Sequence, residues 1–327
     1  MQILNTQFDR DYLLTFKNAE TGTVFQTKDL RCSFDIEMYV DNKSKTNKGT
    51  VSVYNLTDDT VNKISTRFGK ILLEAGYKGN IKGIVEGDVV NVKTTKQGSD
   101  RVTVFELAPN FINTAIKPFS FVLPENTKLS FLIKGVATAL GLALPNSNKK
   151  QEWEDIVIPY GYPVYGTGKQ VLDEIASCYS VEWRIQDGIL YVTDRYGLNN
   201  SKRESAIVLN KNTGLIDIPY ISTEEVSKSI GQALEEDNEQ LLREIISLKK
   251  DGTPRKKTKY KARRYGVKVN ALLNPTVKPN SLFKIETGLD QVDGYYRVRS
   301  VKFKGDTRGN EWYMELYGDS FAAEELE

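Results

Sequence analysis

From Asp11 to Pro109 the chain alternates between apolar and polar residues almost without interruption. Phe34, Ile36, Met38 and Val40 are separated by polar positions, as are Val51 and Val53, then Ile71, Leu73, Ala75 and Tyr77, then Val102 and Val104. A period of two places one set of side chains on one face of an extended strand, so these segments predict half-buried strands. Turn-forming runs divide them: AETG at 19–22, DNKSKTNKG at 41–49, YKGN at 77–80 and KQGSD at 96–100. One short helix interrupts the series, with Val61 and Ile64 on one face and either Thr57 or Asp58 able to cap its first amides. Several short antiparallel strands with one helix describe a small barrel or sandwich.

Beyond about Asn110 the period lengthens. Leu129, Leu132, Ile133, Val136 and Leu140 form a helical stripe, with Thr127 as the expected N-cap and Gly141 as the left-handed C-terminal residue. A second helix at about 169–179 buries Val171, Leu172, Ile175 and Tyr179. It leads into the strands SVEWRI and ILYVT, which Asp187-Gly188 joins as a tight hairpin. Two helices against a small sheet make a middle α/β domain, with GLNNSKRES at 197–205 as its exit linker. Strands then return at 206–209, 265–272, 282–286, 295–304 and 311–317. Tyr296 and Val298 lie on one parity and Val301 and Phe303 on the other, so a β-bulge is expected between them. A charged helical arm at about 224–264 is inserted, with Thr223 as its candidate cap and an apolar stripe from Val226 to Leu248. The expected architecture is mainly β with an α+β middle domain: residues 1–110 and 205–327 form two antiparallel β-barrels, and residues 111–204 lie between them.

The two strand-rich ends also resemble each other. In each, a strand ending near Gly76 or Gly288 is followed by a turn and a long strand beginning at Gly83 or Gly294. A Gly/Asp hairpin comes next, KQGSD or GDTRGN, and then a closing alternating strand. Duplication of one module and convergence of two both account for this.

Composition narrows the chemistry. A chain of 327 residues accommodates two or three domains, and 39% hydrophobic with 27% charged residues is ordinary for a globular protein. Lys and Arg number 45 against 43 Asp and Glu, so no overall field draws the chain to nucleic acid. The sequence contains 0 His, which removes Ser-His-Asp and Cys-His nucleophiles and imidazole metal ligands. Cys32 and Cys178 are far apart, with neither zinc-finger spacing nor a disulfide framework. No cofactor and no metal are expected. The N-terminus MQILNTQFDRDYLL lacks a basic segment followed by an apolar one, and no window reaches the ~18 apolar residues of a membrane span. Synthesis in the cytosol without membrane insertion follows as an expectation.

Four segments invite a chemical reading. GYPVYGTGKQ at 161–170 places Gly168-Lys169 at a helix start but fails as a phosphate loop. Its glycines are too widely spaced, and Gln170 stands where a hydroxyl should hold magnesium; the glycines serve a sharp turn. The acidic groups Glu152, Glu154, Asp155 and Glu235, Glu236, Asp237, Glu239 would serve a glycosidase only as a spaced pair, and otherwise form a solvated surface. DNKSKTNKG has lysines where a calcium loop needs oxygen ligands. The strongest local deviation is KKDGTPRKKTKYKARR, in which nine of sixteen residues are basic: Lys249, Lys250, Arg255, Lys256, Lys257, Lys259, Lys261, Arg263 and Arg264. It can be a solvated loop, a contact for an acidic protein partner, or a neutraliser of nucleic-acid phosphates. Tyr260 and Tyr265 are too few and too far apart for a base-stacking platform.

GTVSVYNLTDDTVNKIS followed by KILLEAGYKGNIKGIVEGDVV resembles the tube-type barrel of bacteriophage baseplate hub proteins, of the contractile-tail late control protein D type. KLSFLIKGVATALGL and KQVLDEIASCYSVEWRIQDGILYVTD are similar to that family's middle segments. LLNPTVKPNSLFKIET with GYYRVRSVKFKGDTRGNEWYMELYG resembles its second barrel. The likeness covers about 49–318, and the arm matches no motif of the family. It implies two tail-tube-like barrels per chain and a homotrimer whose six barrels adapt a six-fold tail tube to a three-fold central spike. The implied partners are the chain itself, the spike and the tube protein, with baseplate wedge and tape-measure proteins as further contacts and DNA only in transit. The implied setting is a virion tail baseplate assembled in the host cytoplasm, on a contractile tail with a separate spike, and no enzymatic role. A cell-wall hydrolase using a carboxylate pair and a nucleic-acid-binding module acting through 249–264 are the alternatives.

Overall fold

A computed structural model of the chain describes residues 9–18, 21–43, 45–64, 69–145, 151–195, 197–198, 202–221, 266–321 and 326. The first end holds strands β1 (Arg10–Lys17), β2 (Val24–Thr27), β3 (Cys32–Tyr39), β4 (Lys48–Tyr54), β5 (Lys70–Tyr77), β6 (Asn80–Gln97) and β7 (Asp100–Ala108). Helix α1 (Asp58–Ile64) joins β4 to β5. The middle holds β8 (Pro118–Leu123), β9 (Thr127–Lys128), helix α2 (Leu129–Leu140), β10 (Val157–Ile158), β11 (Tyr162–Thr167), helix α3 (Gly168–Tyr179), β12 (Val181–Gln186) and β13 (Ile189–Asp194). The last part holds β14 (Ile207–Leu209), β15 (Tyr220–Ile221), β16 (Gly266–Leu272), β17 (Leu282–Ile285), β18 (Gly294–Asp306) and β19 (Trp312–Phe321). The chain is mainly β with an α+β middle, as its pattern predicts.

The two strand-rich ends are continuous. Their strands form a single 13-stranded sheet in the order β15-β16-β19-β18-β3-β4-β7-β6-β5-β1-β2, with β17 and β14 branching from β18. Among the described residues this path is open at both ends rather than closed into a ring. One apolar core runs beneath both halves, from Leu14, Ile36, Val51, Leu73 and Phe105 to Val269, Phe283, Val298, Phe303 and Met314. Alternation alone could not show that these strands share a core.

Within the sheet, β3-β4-β7-β6-β5 and β15-β16-β19-β18-β17 follow the same order, and every pairing in both is antiparallel. The registers match as well. Val51 lies opposite Phe105 as Val269 lies opposite Leu316, and Val53 opposite Thr103 as Ala271 opposite Met314. Each long strand carries its bulge at the same place: β6 slips against β7 between Val89 and Asn91, and β18 slips against β19 between Val298 and Ser300. The expected parity change before Val301 is this second bulge. The ends therefore match in chain path as well as in sequence, although β1 joins β5 antiparallel where β14 joins β17 parallel.

Two local expectations change, and one open alternative is decided. On β7 the core takes Thr103, Phe105 and Leu107, while Val104 is half-buried on the other face. Directly opposite residues share a face, so Val51 and Val53 of β4 bring Phe105 and Thr103 inward. Thr127 does not cap α2: its hydroxyl donates to the Pro124 carbonyl, Thr127 and Lys128 pair with β10, and the Leu129 amide donates to Ile156 O. Between Thr57 and Asp58 the cap is Thr57, whose Oγ1 accepts from the Thr60 amide. Other signals match the pattern. Gly141 ends α2 in the left-handed conformation, and Asp187 and Gly188 both have positive φ in the hairpin of β12 and β13.

Candidate assembly surface

The seam between the ends is the pairing of β3 with β18. β18 is long enough to serve two partners: Gly294 to Arg297 pair with β17, and Ser300 to Asp306 pair with β3. The bulge at Arg299 marks the exchange. Arg31 Nη2 and Nε reach Asp306 Oδ2 and Oδ1 at 2.6 and 3.2 Å, a forked ion pair across the seam. Burial works against ionisation of Asp306, but Arg31 and the amides of Arg308 and Gly309 hold its carboxyl below the usual range. Arg10 Nη1 adds a hydrogen bond to the Asp306 carbonyl at 3.1 Å. Inside, the Phe34 ring lies over Gly305 and meets Trp312 edge-on at 5.5 Å, and Trp312 Nε1 donates to Gly76 O at 3.1 Å. A side chain at 305 would collide with that ring, so glycine here serves close packing. On the opposite face Lys302 Nζ lies 2.8 Å from Glu37 Oε1 and 3.1 Å from Asp35 Oδ2. Burial opposes the Glu37 charge, yet Lys302 and the Tyr39 hydroxyl pull its pKa down to about 2.

The middle unit is fastened to this sheet by buried polar groups. Arg297 on β18, with its side chain 1% exposed, binds Glu182 Oε2 of β12 at 2.8 Å and Asp319 Oδ2 of β19 at 3.0 Å, and donates to Gly197 O. Burial alone would lower its pKa, but the two carboxylates raise it, so the cation is secured. In DNKSKTNKG, Asn42 and Asn47 are buried. Asn42 N donates to Trp183 O, Asn42 Oδ1 accepts from Ile185 N at 3.1 Å, and Asn47 Nδ2 donates to Ile185 O at 3.2 Å. Lys278 extends from the second end to the carbonyls of Gly83 and Ile84 in the first, 3.8 Å from Asp187 of the hairpin. Burial lowers its pKa, partly offset by that aspartate. These fasteners carried no sequence signal, because a single Asn or Arg in an alternating segment looks like any solvated residue.

The predicted chemical groups have structural duties where they are described. Thr167 caps α3 through the Gln170 amide, and Gly168 sits so close to Leu140 and Thr114 that no side chain fits. Lys169 pairs with Asp173 at 2.9 Å. Glu154 accepts from the Gln151 amide in a capping box, and Asp155 pairs with Lys128. Burial pushes the Cys32 thiol up, while Cys178 is exposed. Lys249, Lys250, Arg255, Lys256, Lys257, Lys259, Lys261, Arg263 and Arg264 lie outside the described residues, as do Thr223, Glu235 and the arm as a whole. No helix among the described residues is long and apolar enough to cross a membrane.

Among the described residues two strand edges lack a second partner and correspond in register to the paired strands of the seam. β6 continues past β5: the last β5 partner is Asp88, and Val89 N donates to Gly69 O. From Val90 to Gln97, β6 pairs among the described residues only with β7. Among the described residues β15 pairs only with β16, and Ile216, Ile218, Tyr220 and Ile221 are exposed.

Solved structures of the same shape exist. A 43 kDa tail protein of prophage MuSo2 from Shewanella oneidensis superimposes with a TM-score of 0.58 at 11% identity over 98% of this chain and 100% of that one. A tail protein from Neisseria meningitidis MC58 gives 0.56 at 10% identity over 94% and 96%. The fold is that of phage tail proteins. It extends beyond phages, since the Escherichia coli c3393 protein gives 0.56 at 10% identity over 95% of this chain and 77% of that one. That protein is a type VI secretion component described as similar to the T4 tail proteins gp27 and gp5. No protein-family model and no curated sequence matches the chain. The likeness is thus one of shape.

Proposed function

We propose that this chain is a structural, non-enzymatic hub of a phage tail baseplate, acting as a homotrimer that joins a six-fold tail tube to a three-fold central spike. In this role it frames the channel for the tape-measure protein and DNA, and the virion of a contractile tail is its setting after assembly in the host cytoplasm. The observation that carries the reading is the pair of five-strand units with matching order, register and bulge in one chain. Three copies of a two-unit chain present six near-equivalent modules, which is what a junction between six-fold and three-fold symmetry requires. The shape shared with tail proteins supports the same role. Residues 1–110 and 205–327 supply the tube-like modules, and 111–204 rests on them as a separate α+β unit.

The basic run from Lys249 to Arg264 contacts an acidic protein partner in this reading, among spike, tube, wedge and tape measure. Alanine at Lys256, Lys257, Arg263 and Arg264 tests it: weaker capture of a co-expressed tail protein is expected, whereas salt-dependent DNA affinity lost in that variant would favour nucleic acid. Light scattering after size exclusion, with and without the co-expressed spike, tests the hub. A trimer in at least one sample is expected, and a dimer or closed hexamer in both overturns it.

A further inference from the structure

We propose that the outer edge of β8 is a docking site for an extended, uncharged and proline-free segment of another protein, which joins the ribbon of β8 and β11 as a third strand. The site belongs to the middle unit and does not depend on the hub reading above.

Hydrogen-bond parity shows which backbone groups face outward. Among the described residues β8 and β11 pair only with each other, with Pro118 opposite Thr167, Ser120 opposite Tyr165 and Val122 opposite Pro163. The Thr167 amide donates to Gln170 Oε1 at 3.0 Å rather than across the ladder, so its pair is of the non-hydrogen-bonded kind. Such pairs recur at every second position, which turns the amides and carbonyls of Ser120 and Val122 away from β11. Pro163, which has no N–H to give, falls on the same parity and agrees with that assignment. The two outer edges are therefore unequal. On β11 the outward amide is missing at Pro163 and taken at Thr167, whereas on β8 no described backbone group bonds Ser120 or Val122 from outside. The chain from 114 to 128 that flanks this edge is itself described.

The side chains around this edge set the chemistry of its occupant. Residues 118–124 and 156–168 contain no charged side chain, although the chain as a whole is 27% charged. On the outer face of the ribbon Val122 is 75% exposed and Tyr165 76%, with Pro163 also exposed beside them. On the inner face Phe119 and Phe121 stack at 6.1 Å and are half-buried. The Phe121 ring covers Gly135 of α2, and Phe131, one turn earlier on the same side of that helix, is exposed. A strand added at Ser120 and Val122 sends alternate side chains to these two faces. Both sets then meet apolar surface, and a charge on either would lose its water unpaired. Aromatic, charge-poor surface of this kind marks the core of protein interfaces. Pro118 and Pro124 bound the open stretch, so the partner's backbone bonds to the N–H and C=O of Ser120 and of Val122. An edge with no occupant is usually shielded, as Pro163 shields β11, but β8 keeps its edge bare beside exposed apolar groups.

The probe is a displayed library of random linear heptapeptides, selected against the full chain with the full-length Val122→Pro variant as counter-target. Position 122 gives no amide to β11, so proline there blocks the outer edge and leaves the ladder whole; matching melting temperatures of the two chains check this. Selected peptides are expected to be uncharged and free of proline, and to bind the natural chain about tenfold or more tightly than Val122→Pro. Tyr165→Lys is expected to weaken the same peptides, and Val122→Thr, which keeps the amide, to retain them. A selected peptide N-methylated at alternate amides is expected to lose binding in one phase and keep it in the other, as strand pairing requires and a side-chain contact does not. This comparison uses the natural chain throughout, so it decides the matter even where Val122→Pro fails to fold. Failure to enrich any peptide over Val122→Pro, a charged consensus, or equal binding of the two N-methylated series overturns the proposal. Concentration-dependent self-association that Val122→Pro abolishes also overturns it, by making a second copy the occupant.

Discussion

Arg297→Met removes the cation that ties the middle unit to the sheet. The guanidinium is 1% exposed, and its partners Glu182 and Asp319 are 10% and 5% exposed, so the substitution leaves two carboxylates out of water. Arg299, whose Nη1 lies 3.5 Å from Asp319 Oδ1, and Arg184, which interacts electrostatically with Glu182, compensate them only in part. Removing one partner of a buried ion pair costs about 3 to 5 kcal/mol, and the hydrogen bond to Gly197 O is lost as well. Urea unfolding at neutral pH is therefore expected to show a loss of about 3 to 5 kcal/mol. Adding Glu182→Gln and Asp319→Asn to Arg297→Met should recover a large part of it, because the uncompensated charges are then gone. A deficit below about 1 kcal/mol would refute the idea that this charge secures the middle unit.

Gly305→Ala places a methyl group inside the Phe34 ring and is expected to cost about 1 to 3 kcal/mol, with Phe34→Leu restoring part of it; paired urea melts of the single and double variants check this. Asn47→Ala strands the Tyr39 amide and Ile185 carbonyl, so a loss of about 1 to 3 kcal/mol is expected, with faster proteolysis between the sheet and the middle unit. Glu37 and Asp306 have depressed folded-state pKa values, so their contribution is present above about pH 4 and is lost as pH falls below it, for Glu37 toward about 2. Urea melts from pH 6 to about pH 3 should show that decline, with Glu37→Gln flattening its slope; parallel slopes would exclude the seam carboxylates as its source.

How much was legible along the chain follows from the range of each signal. The alternation at Phe34, Ile36 and Met38, the stripe from Leu129 to Leu140 and the Asp187-Gly188 turn are set within a few residues, and each was readable. Even the bulge at Arg299 showed itself, because a bulge shifts the parity of the strand that carries it. Val104 misled for the complementary reason: which face of a strand is inward depends on the strand beside it. Thr127 misled because its hydroxyl met the carbonyl of Pro124 before any helical amide.

By itself, then, the sequence determined the strand-rich ends, the helical middle, the internal likeness and the lack of imidazole chemistry, since these depend on composition and on periodicity over a few residues. Only the tertiary structure decided that the ends share one sheet through β3 and β18 and that Arg297, Asn42, Asn47 and Lys278 bind the parts together. Those contacts join residues that lie from tens to hundreds of positions apart. Their energies come from burying and pairing groups that only the completed fold brings within reach.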